Sequence, residues 1–242
     1  MSRVDGRGDG ELRPVVIEPG FVSSATGSAL ISCGGTRVIC TASIAEGVPR
    51  WREGRGLGWL TAEYGMLPAS TGQRRPRDIN KGRLDGRIVE IQRLIGRSLR
   101  GVVDNAALGE RTVSIDCDVL EADGGTRCAS ITGGFVALAL ACQRLVEDGE
   151  LERVPLTGEI AAVSCGIVDG RPMLDLNYPE DSTAEVDANV VMTGDGGLVE
   201  VQATAEGMPL ERAHLDELLE LAAAGINELR AAQDEAIGSP GG

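Results

Sequence analysis

The sequence predicts an α+β fold built from two pseudo-repeated halves. In each half, short segments of alternating apolar and polar residues are separated by glycine turns and followed by segments with helical periodicity. With 242 residues, 42% of them hydrophobic, the chain can bury a large core as one domain. We expect this domain to span residues 1–237, with halves at about 10–147 and 156–235, and a disordered tail at 238–242.

The first half begins with three predicted strands, at residues 13–17, 28–33 and 36–43. Gly34 and Gly35 lie between the second and third strands, which is a short hairpin signal. Residues 43–58 are rich in glycine, arginine and proline and predict a loop, after which a short strand is expected at 59–64.

Residues 66–86 combine basic and turn-forming residues without apolar periodicity, so we expect an exposed loop there. A helix is predicted to follow. Its apolar face, with about 100° between residues, consists of Ile88, Ile91, Ile95, Leu99 and Val102. The opposite face carries Arg93, Arg97 and Arg100, whereas Arg87 lies in the first turn at the edge of the apolar face.

Residues 111–134 predict a unit of strand, glycine loop and helix. The strand, at 111–120, ends at the turn signal Asp123-Gly124-Gly125, and an apolar helix continues to about Leu145. Glycine lets backbone amides approach a ligand, and a helix N-terminus favours an anion. Because Arg127 is unfavourable in the first turn without a neighbouring anion, the pattern indicates a phosphate site. The alternative is that the glycines only form the turn and that Thr126 is the helix N-cap.

The second half repeats this plan. Strands are predicted at residues 160–168 and 171–176 around Asp169-Gly170, and at 186–193 and 198–204 around Asp195-Gly196-Gly197. A helix is expected from about residue 210 to residue 233, because Leu215, Leu218, Ala222, Ile226 and Leu229 recur at helical spacing.

The net charge of −14 argues against a nucleic-acid partner until its distribution is considered. Residues 74–100 contain nine basic and three acidic residues, a local excess of six positive charges, which leaves −20 on the rest of the chain. This polarisation directs a polyanion to one surface. The preference for arginine suits bidentate phosphate contacts, although a compositional bias of the genome would give the same pattern.

The six cysteines have no C-x-x-C spacing, and the single histidine, His214, is far from them in the chain. We therefore expect reduced thiols rather than a zinc site. The first residues contain no apolar signal region, and no run approaches the length expected of a membrane helix. These features predict a cytoplasmic protein with no membrane partner.

Residues 177–187, NYPEDSTAEVD, place Asp181 and Asp187 near the start of a predicted strand, with Glu180 and Glu185 beside them. This density of carboxylates suits a hard cation such as Mg²⁺, which keeps several waters and bridges to substrate phosphate. The alternative is a solvated acidic loop. No histidine is present in this segment, so proton transfer would require a carboxylate or a metal-bound water.

Six segments together resemble the bacterial ribonuclease PH family of phosphate-dependent exoribonucleases, which trim tRNA 3′ ends. The resemblance covers about residues 6–233 in collinear order. The matching segments are EGVPR (46–50), GWLTAEYGMLP (58–68), GRIVEIQRLIGRSLR (86–100), DVLEADGGTRCASITGG (118–134), LDLNYPEDSTAEVDANVVMTG (174–194) and EVQATAEG (200–207).

The resemblance implies two fused repeats of the kind seen in the second domain of ribosomal protein S5, assembled as a homo-hexamer, a trimer of dimers. It implies phosphate binding by Arg87, Gly125, Thr126 and Arg127, and a catalytic or metal-binding role for Asp181 and Asp187. It also implies that Arg74 and Arg77 grip the tRNA 3′ end. The family usually has arginine where this chain has Ala69, which removes one expected RNA contact, and Arg75 is an additional arginine that would compensate in part.

The activity implied is in-line attack of inorganic phosphate on the last phosphodiester of tRNA or another structured RNA, with Mg²⁺ as cofactor. It releases a nucleoside diphosphate, and the reverse addition is also expected. One alternative is a non-catalytic RNA-binding ring subunit of an exosome-like assembly, which would be expected to lose the site residues. Another is a metabolite kinase of related fold, which would need a longer nucleotide-binding loop than GGTR.

Overall fold

Two β-sheets, one from each half of the chain, form the framework of the computed structural model, which describes residues 3–77 and 85–238. The predicted tail at 239–242 and the central part of the basic loop, with Lys81 and Arg83, lie outside the described residues. The first sheet contains five strands: β1 (Val15–Pro19), β2 (Gly27–Cys33), β3 (Thr36–Glu46), β4 (Trp59–Met66) and β5 (Arg111–Glu121). The second contains four: β6 (Ile160–Val168), β7 (Arg171–Leu174), β8 (Val186–Thr193) and β9 (Leu198–Ala205).

The strand order in the first sheet is β1-β2-β3-β5-β4, and in the second it is β7-β6-β8-β9. The hairpins predicted from glycine turns are present, because β2 pairs with β3, β6 with β7 and β8 with β9, all antiparallel. The exception in orientation is β4, which lies parallel to β5 with Tyr64 opposite Cys117. The predicted α+β class and its two-part plan are confirmed.

In the described part of the chain, five helices connect and cover these sheets: α1 (Gly86–Arg100), α2 (Asn105–Leu108), α3 (Thr126–Glu147), α4 (Tyr178–Asp181) and α5 (Arg212–Gly238). The longest of the first half, α3, packs against both sheets and against α1 and α5. Glycine allows close approach here, since a Cβ built on Gly27 of β2 would lie 2.2 Å from the carbonyl oxygen of Ala137 in α3. This packing fixes the start of α3 relative to both sheets.

The expectation that no run is long enough to cross a membrane was wrong for α3. Within the described residues, α3 is the one helix that is long and apolar enough to cross a membrane by length and composition, with a mean hydropathy of 1.5 over its apolar window. However, 78% of that window is buried inside the protein, as is usual for a core helix.

Several predicted boundaries require correction. β3 continues to Glu46, into the predicted loop, and α5 includes Gly238, which had been assigned to the disordered tail. β7 ends at Leu174 instead of residue 176, because Asp175 adopts a left-handed φ of 52°. The short helices α2 and α4 were not predicted. All six cysteines are buried and unpaired, as expected.

Candidate active site

The glycine loop between β5 and α3 has the left-handed conformation that its sequence requires. Gly124 has a φ of 75° and Gly125 a φ of 65°. A Cβ on Gly124 would lie 2.4 Å from the carbonyl oxygen of Leu176, so a side chain cannot be accommodated. Gly125 is the N-cap of α3 and no side chain accepts from the first-turn amides, so the alternative assignment of Thr126 as N-cap was wrong. These amides remain available to an anion.

A buried arginine, Arg13, contacts the backbone of this glycine loop. Arg13 is only 4% exposed and donates to the backbone carbonyl of Asp123. Its Nε and Nη2 also donate to the two carboxylate oxygens of Asp175, at 2.9 and 2.7 Å. Thr36 Oγ1 donates to the carbonyl oxygen of Gly124 at 2.6 Å. The loop is therefore fixed by groups from the first and second halves of the chain.

The first residue of α3, Thr126, is tied to the first sheet. Its Oγ1 lies 3.0 Å from the hydroxyl oxygen of Tyr64 in β4. The positive charges of Arg87 and Arg127 both act on this phenol, opposing the rise in the pKa of Tyr64 that burial causes. Tyr64 thus lies within the electrostatic reach of both predicted phosphate-binding arginines.

Arg127 lies in the first turn of α3 and its side chain is only 16% exposed. Its Nη1 donates to Oε1 of Gln202 in β9 at 3.0 Å, and the Glu90 carboxylate of α1 lies 3.6 Å from the same nitrogen. Arg87, in the first turn of α1, is exposed. Its backbone N–H donates to Asp85 Oδ1, the helix N-cap, at 3.0 Å.

Asp181 is the last residue of α4, and this single helical turn is held by a capping box. Asn177 Oδ1 accepts from the backbone N–H of Glu180, and the Glu180 side chain accepts from the backbone N–H of Asn177. The Glu180 carboxylate also accepts two hydrogen bonds from the buried Arg3, at 2.8 and 2.6 Å. The neighbouring glutamate of the acidic segment is therefore structural, and it fixes the backbone that carries Asp181.

Asp187 is in β8, between Gly166 of β6 and Thr204 of β9. Burial raises the pKa of Asp187, and the negative charge of Asp181 raises it further. Burial likewise raises the pKa of Asp181. The positive charges of Arg87 and Arg127 oppose both shifts. The two predicted aspartates and the two predicted arginines thus act on one another at a single site.

An open cavity of about 440 Å³ adjoins this site. Its wall includes Arg127 and Asp187, together with Glu90, Asn189, Gln202 and Thr204. Most of the residues in this wall are polar or charged. It provides space for a small anion beside a cationic group and a carboxylate.

The two aspartates fit a hard cation. Among the described residues, no group of three or more histidine, cysteine, aspartate or glutamate side chains forms a protein-only metal cage. Two half-buried carboxylates that repel each other form an incomplete ligand set, which suits Mg²⁺ because that ion takes its other ligands from water and substrate phosphate.

The predicted RNA-binding arginines, Arg74 and Arg77, are both exposed on the segment after β4. Arg77 lines a second cavity of about 250 Å³ with Ile88 of α1 and Asp118 of β5. This cavity shares no residue with the one beside Arg127 and Asp187. Arg75 is half-buried, and its Nη1 lies 2.8 Å from the sulfur of Met66. Ala69 is exposed.

Four contributors to the site were not predicted: Arg13, Tyr64, Glu90 and Gln202. Each acts through a contact with a residue more than 60 positions away or on a different element. No local pattern identifies such pairs, and all four residues belong to segments predicted as ordinary strand or helix.

Two family models match the two halves of the chain. Residues 11–142 match domain 1 of the 3′ exoribonuclease family, and residues 158–225 match domain 2. The chain belongs to the 3′ exoribonuclease family. Both matched domains contribute to the candidate site, since Arg87 and Arg127 lie in domain 1 and Asp181 and Asp187 in domain 2.

Within this family, the chain is similar to proteins named ribonuclease PH over nearly its whole length. It is 56% identical over 238 residues to that of Syntrophomonas wolfei, covering 98% of this chain and 100% of the relative. It is 59% identical over 239 residues to that of Mycobacterium avium, covering 98% and 92%.

Two solved structures have the same fold as this chain. An Archaeoglobus fulgidus exosome with RNA bound to the active site aligns with a TM-score of 0.81 and 25% identity, covering 95% of this chain and 92% of that one. Rice (Oryza sativa) Rrp46 aligns with a TM-score of 0.78 and 20% identity, covering 97% and 100%. The second likeness is one of fold alone.

Proposed function

We propose that this protein is a phosphorolytic 3′-to-5′ exoribonuclease that trims the 3′ ends of tRNA precursors with inorganic phosphate as co-substrate. The observation that carries this proposal is the convergence of two arginines and two aspartates, since the positive charges of Arg87 and Arg127 act on the carboxylates of both Asp181 and Asp187. The ribonuclease PH relatives, similar over nearly the whole chain, support the same activity.

In this proposal, the first-turn amides of α3, Thr126 and the guanidinium groups of Arg87 and Arg127 hold the attacking phosphate. Free phosphate and RNA are both anions and repel each other. Holding them in line at one site removes that cost and supplies the orientation that phosphoryl transfer needs. The bond between the last nucleotide and the RNA breaks, the phosphate takes up that nucleotide as a nucleoside diphosphate, and the RNA retains a 3′-hydroxyl.

Asp181 and Asp187 are the residues that would hold Mg²⁺. A bound divalent cation supplies charge stabilisation to the leaving and attacking oxygens. Without histidine at the site, a carboxylate or a water would have to carry the proton to the leaving oxygen. The two aspartates are therefore proposed as catalytic as well as metal-binding.

The exposed Arg74 and Arg77 are proposed to contact the phosphates of the tRNA 3′ end. Structured RNAs other than tRNA are expected to be substrates as well. We further propose a homo-hexamer, arranged as a trimer of dimers, in the cytoplasm. One domain over residues 1–237 with halves at about 10–147 and 156–235 remains our proposed division of the chain.

The alternative, a non-catalytic RNA-binding ring subunit, is weaker because the complete set of site residues is present. A direct assay distinguishes the two. A tRNA with extra 3′ nucleotides is incubated with the protein and Mg²⁺, with and without phosphate, and the released nucleotides are identified.

Nucleoside diphosphates that form only with phosphate are expected. Arg87→Ala and Arg127→Ala should each raise the KM for phosphate, since each lost charge-assisted hydrogen bond costs about 1.5–3 kcal/mol. Nucleoside monophosphates formed without phosphate would indicate hydrolysis, and the absence of any release would favour the ring subunit.

A further inference from the structure

Arg127 is held along only one edge of its guanidinium group. Its Nη1 donates to Oε1 of Gln202 at 3.0 Å and lies 3.6 Å from Oε2 of Glu90. Within residues 3–77 and 85–238, every hydrogen bond of this guanidinium is made by Nη1. Because the guanidinium is a planar fork with five donors, fixing Nη1 leaves Nε and Nη2 for a bidentate acceptor.

The orientation of the Gln202 amide is determined by its other contacts. Its Nε2 faces two carboxylates, Oε1 of Glu90 at 3.1 Å and Oε1 of Glu200 at 3.4 Å. Carboxylates accept hydrogen bonds and cannot donate them when ionised, so the amide nitrogen must face them. The amide oxygen consequently faces Arg127, and the contacting residues come from α1 (Glu90), α3 (Arg127) and β9 (Glu200 and Gln202).

We propose that Gln202 is a positioning residue for the phosphate co-substrate: by holding Nη1 of Arg127, it presents the Nε and Nη2 edge to phosphate. The inference rests on the proposed function and adds a specific residue to that site. Bidentate contact with phosphate requires the plane of the guanidinium to be fixed, and a freely rotating arginine loses rotamer entropy on binding.

The chemistry of glutamine suits this role better than that of glutamate. An amide oxygen orients the guanidinium without neutralising its charge. A carboxylate at position 202 would pair with Arg127, face Glu90 and Glu200 as a like charge, and repel phosphate. Glutamate has nearly the same shape as glutamine, so this substitution tests charge separately from packing.

The experiment compares Gln202→Ala and Gln202→Glu with a control variant, Gln143→Ala. Gln143 lies in α3, about 24 Å along the helix from Arg127. The KM for phosphate is measured at saturating RNA, the KM for RNA at saturating phosphate, and kcat in both. We expect Gln202→Ala to raise the KM for phosphate about tenfold, the effect of losing one charge-assisted hydrogen bond. Gln202→Glu should raise it further, while the KM for RNA and the Gln143→Ala control stay within about twofold of wild type.

A second readout is independent of catalysis. The rise in Tm with added phosphate is measured without RNA, and it should be clear in the wild type and reduced in both Gln202 variants. Wild-type phosphate saturation and a wild-type Tm rise in both variants would overturn the role of Gln202. Equal increases in the KM for phosphate and for RNA would also overturn it, since they indicate general disruption. If the wild type released no nucleoside diphosphate, the proposed function would fail, whereas the Tm readout would still test Gln202.

Discussion

At the scale of single residues, the two aspartates of the site lower the stability of the folded protein. Asp181 and Asp187 are half-buried and repel each other, and burial is the main reason that their pKa values are raised. A raised pKa means that the folded protein disfavours the charged carboxylate relative to the unfolded chain. The carboxylates therefore destabilise the fold at neutral pH until a cation is bound.

Asp187→Asn is expected to separate activity from stability. It removes a charge from the proposed cation site with little change in volume, so the rate should fall by about 10²–10³-fold. In metal-free buffer at pH 7, the Tm should rise above that of wild type, because the disfavoured charge is gone. Asp181→Asn should behave in the same way.

The pH dependence of that Tm difference is the sharper measurement. In the wild type, the folded state binds protons more readily, so the destabilisation is present above the raised pKa of Asp187. It disappears as pH falls through that value towards the ordinary value of 3.8. The Tm advantage of Asp187→Asn should therefore shrink on acidification. A constant difference, or unchanged activity across a Mg²⁺ titration, would assign these residues to a solvated loop.

At the scale of secondary-structure elements, the site depends on a buried network that joins the two halves. Arg13, before β1, pairs with Asp175, after β7, and both side chains are less than 10% exposed. Arg3 pairs with Glu180 in the same region. These contacts fix the glycine loop and the backbone of α4. Removing one partner of a buried pair leaves the other charge uncompensated, which costs more than the pair contributes.

Arg13→Met is expected to destabilise the protein by about 3–5 kcal/mol, because the buried Asp175 carboxylate loses the cation that donates to both of its oxygens and, among the described residues, retains only Arg7, at 3.6 Å. At roughly 2–4 °C per kcal/mol, the Tm should fall by about 6–20 °C. Adding Asp175→Asn should recover part of this loss, since asparagine is neutral and tolerates the left-handed φ of 52° at this position. Thermal unfolding of Arg13→Met, Asp175→Asn and the double variant measures the coupling, and additive losses would show that the two residues act independently.

The elements differ in how far their sequences specify them. β6 and β8 were predicted residue for residue, because their apolar runs are bounded by turn signals on both sides. α2 and α4 were missed because four residues are too few for helical periodicity; their caps, Asp104 and Asn177, define them instead.

The residues of the candidate site also differ in whether a local sequence pattern predicts them. Arg127, the glycine loop and the acidic segment with Asp181 and Asp187 follow from local pattern, whereas the resemblance to a family supplied the phosphate-binding role of Arg87. The supporting contacts did not follow from either. Gln202 and Glu90 are 112 positions apart, and Arg13 and Asp175 are 162 apart. Such pairs are decided by the packing of whole sheets, which one sequence does not reveal.

At the scale of the whole molecule, charge is strongly polarised. The chain carries −14 in total, whereas residues 74–100 have a local excess of six positive charges. A polyanion is thus attracted to the surface around the start of α1 and repelled by the acidic remainder. Arg77, proposed to bind RNA, and Arg127, proposed to bind phosphate, line different cavities.

Changing Arg74 and Arg77 together to alanine is therefore expected to weaken tRNA binding and to reduce its dependence on salt. Each lost phosphate contact should lower the log–log slope by about 0.7–0.9. The KM for inorganic phosphate should change little, because neither residue lines the cavity beside Arg127 and Asp187. Short single-stranded RNA should be affected less than tRNA, since it reaches fewer charges of the loop.

The reverse change provides the matched control for this surface. Ala69 is exposed in the same loop, so Ala69→Arg should tighten tRNA binding and steepen the salt slope by a comparable amount per added contact. Binding is measured over a range of salt concentrations for the wild type, the double alanine variant and Ala69→Arg. Opposite shifts in slope for the two variants would identify the loop as the place where the tRNA backbone is held. Unchanged slopes in both would mean that the loop is only a solvated basic surface and that tRNA is held elsewhere.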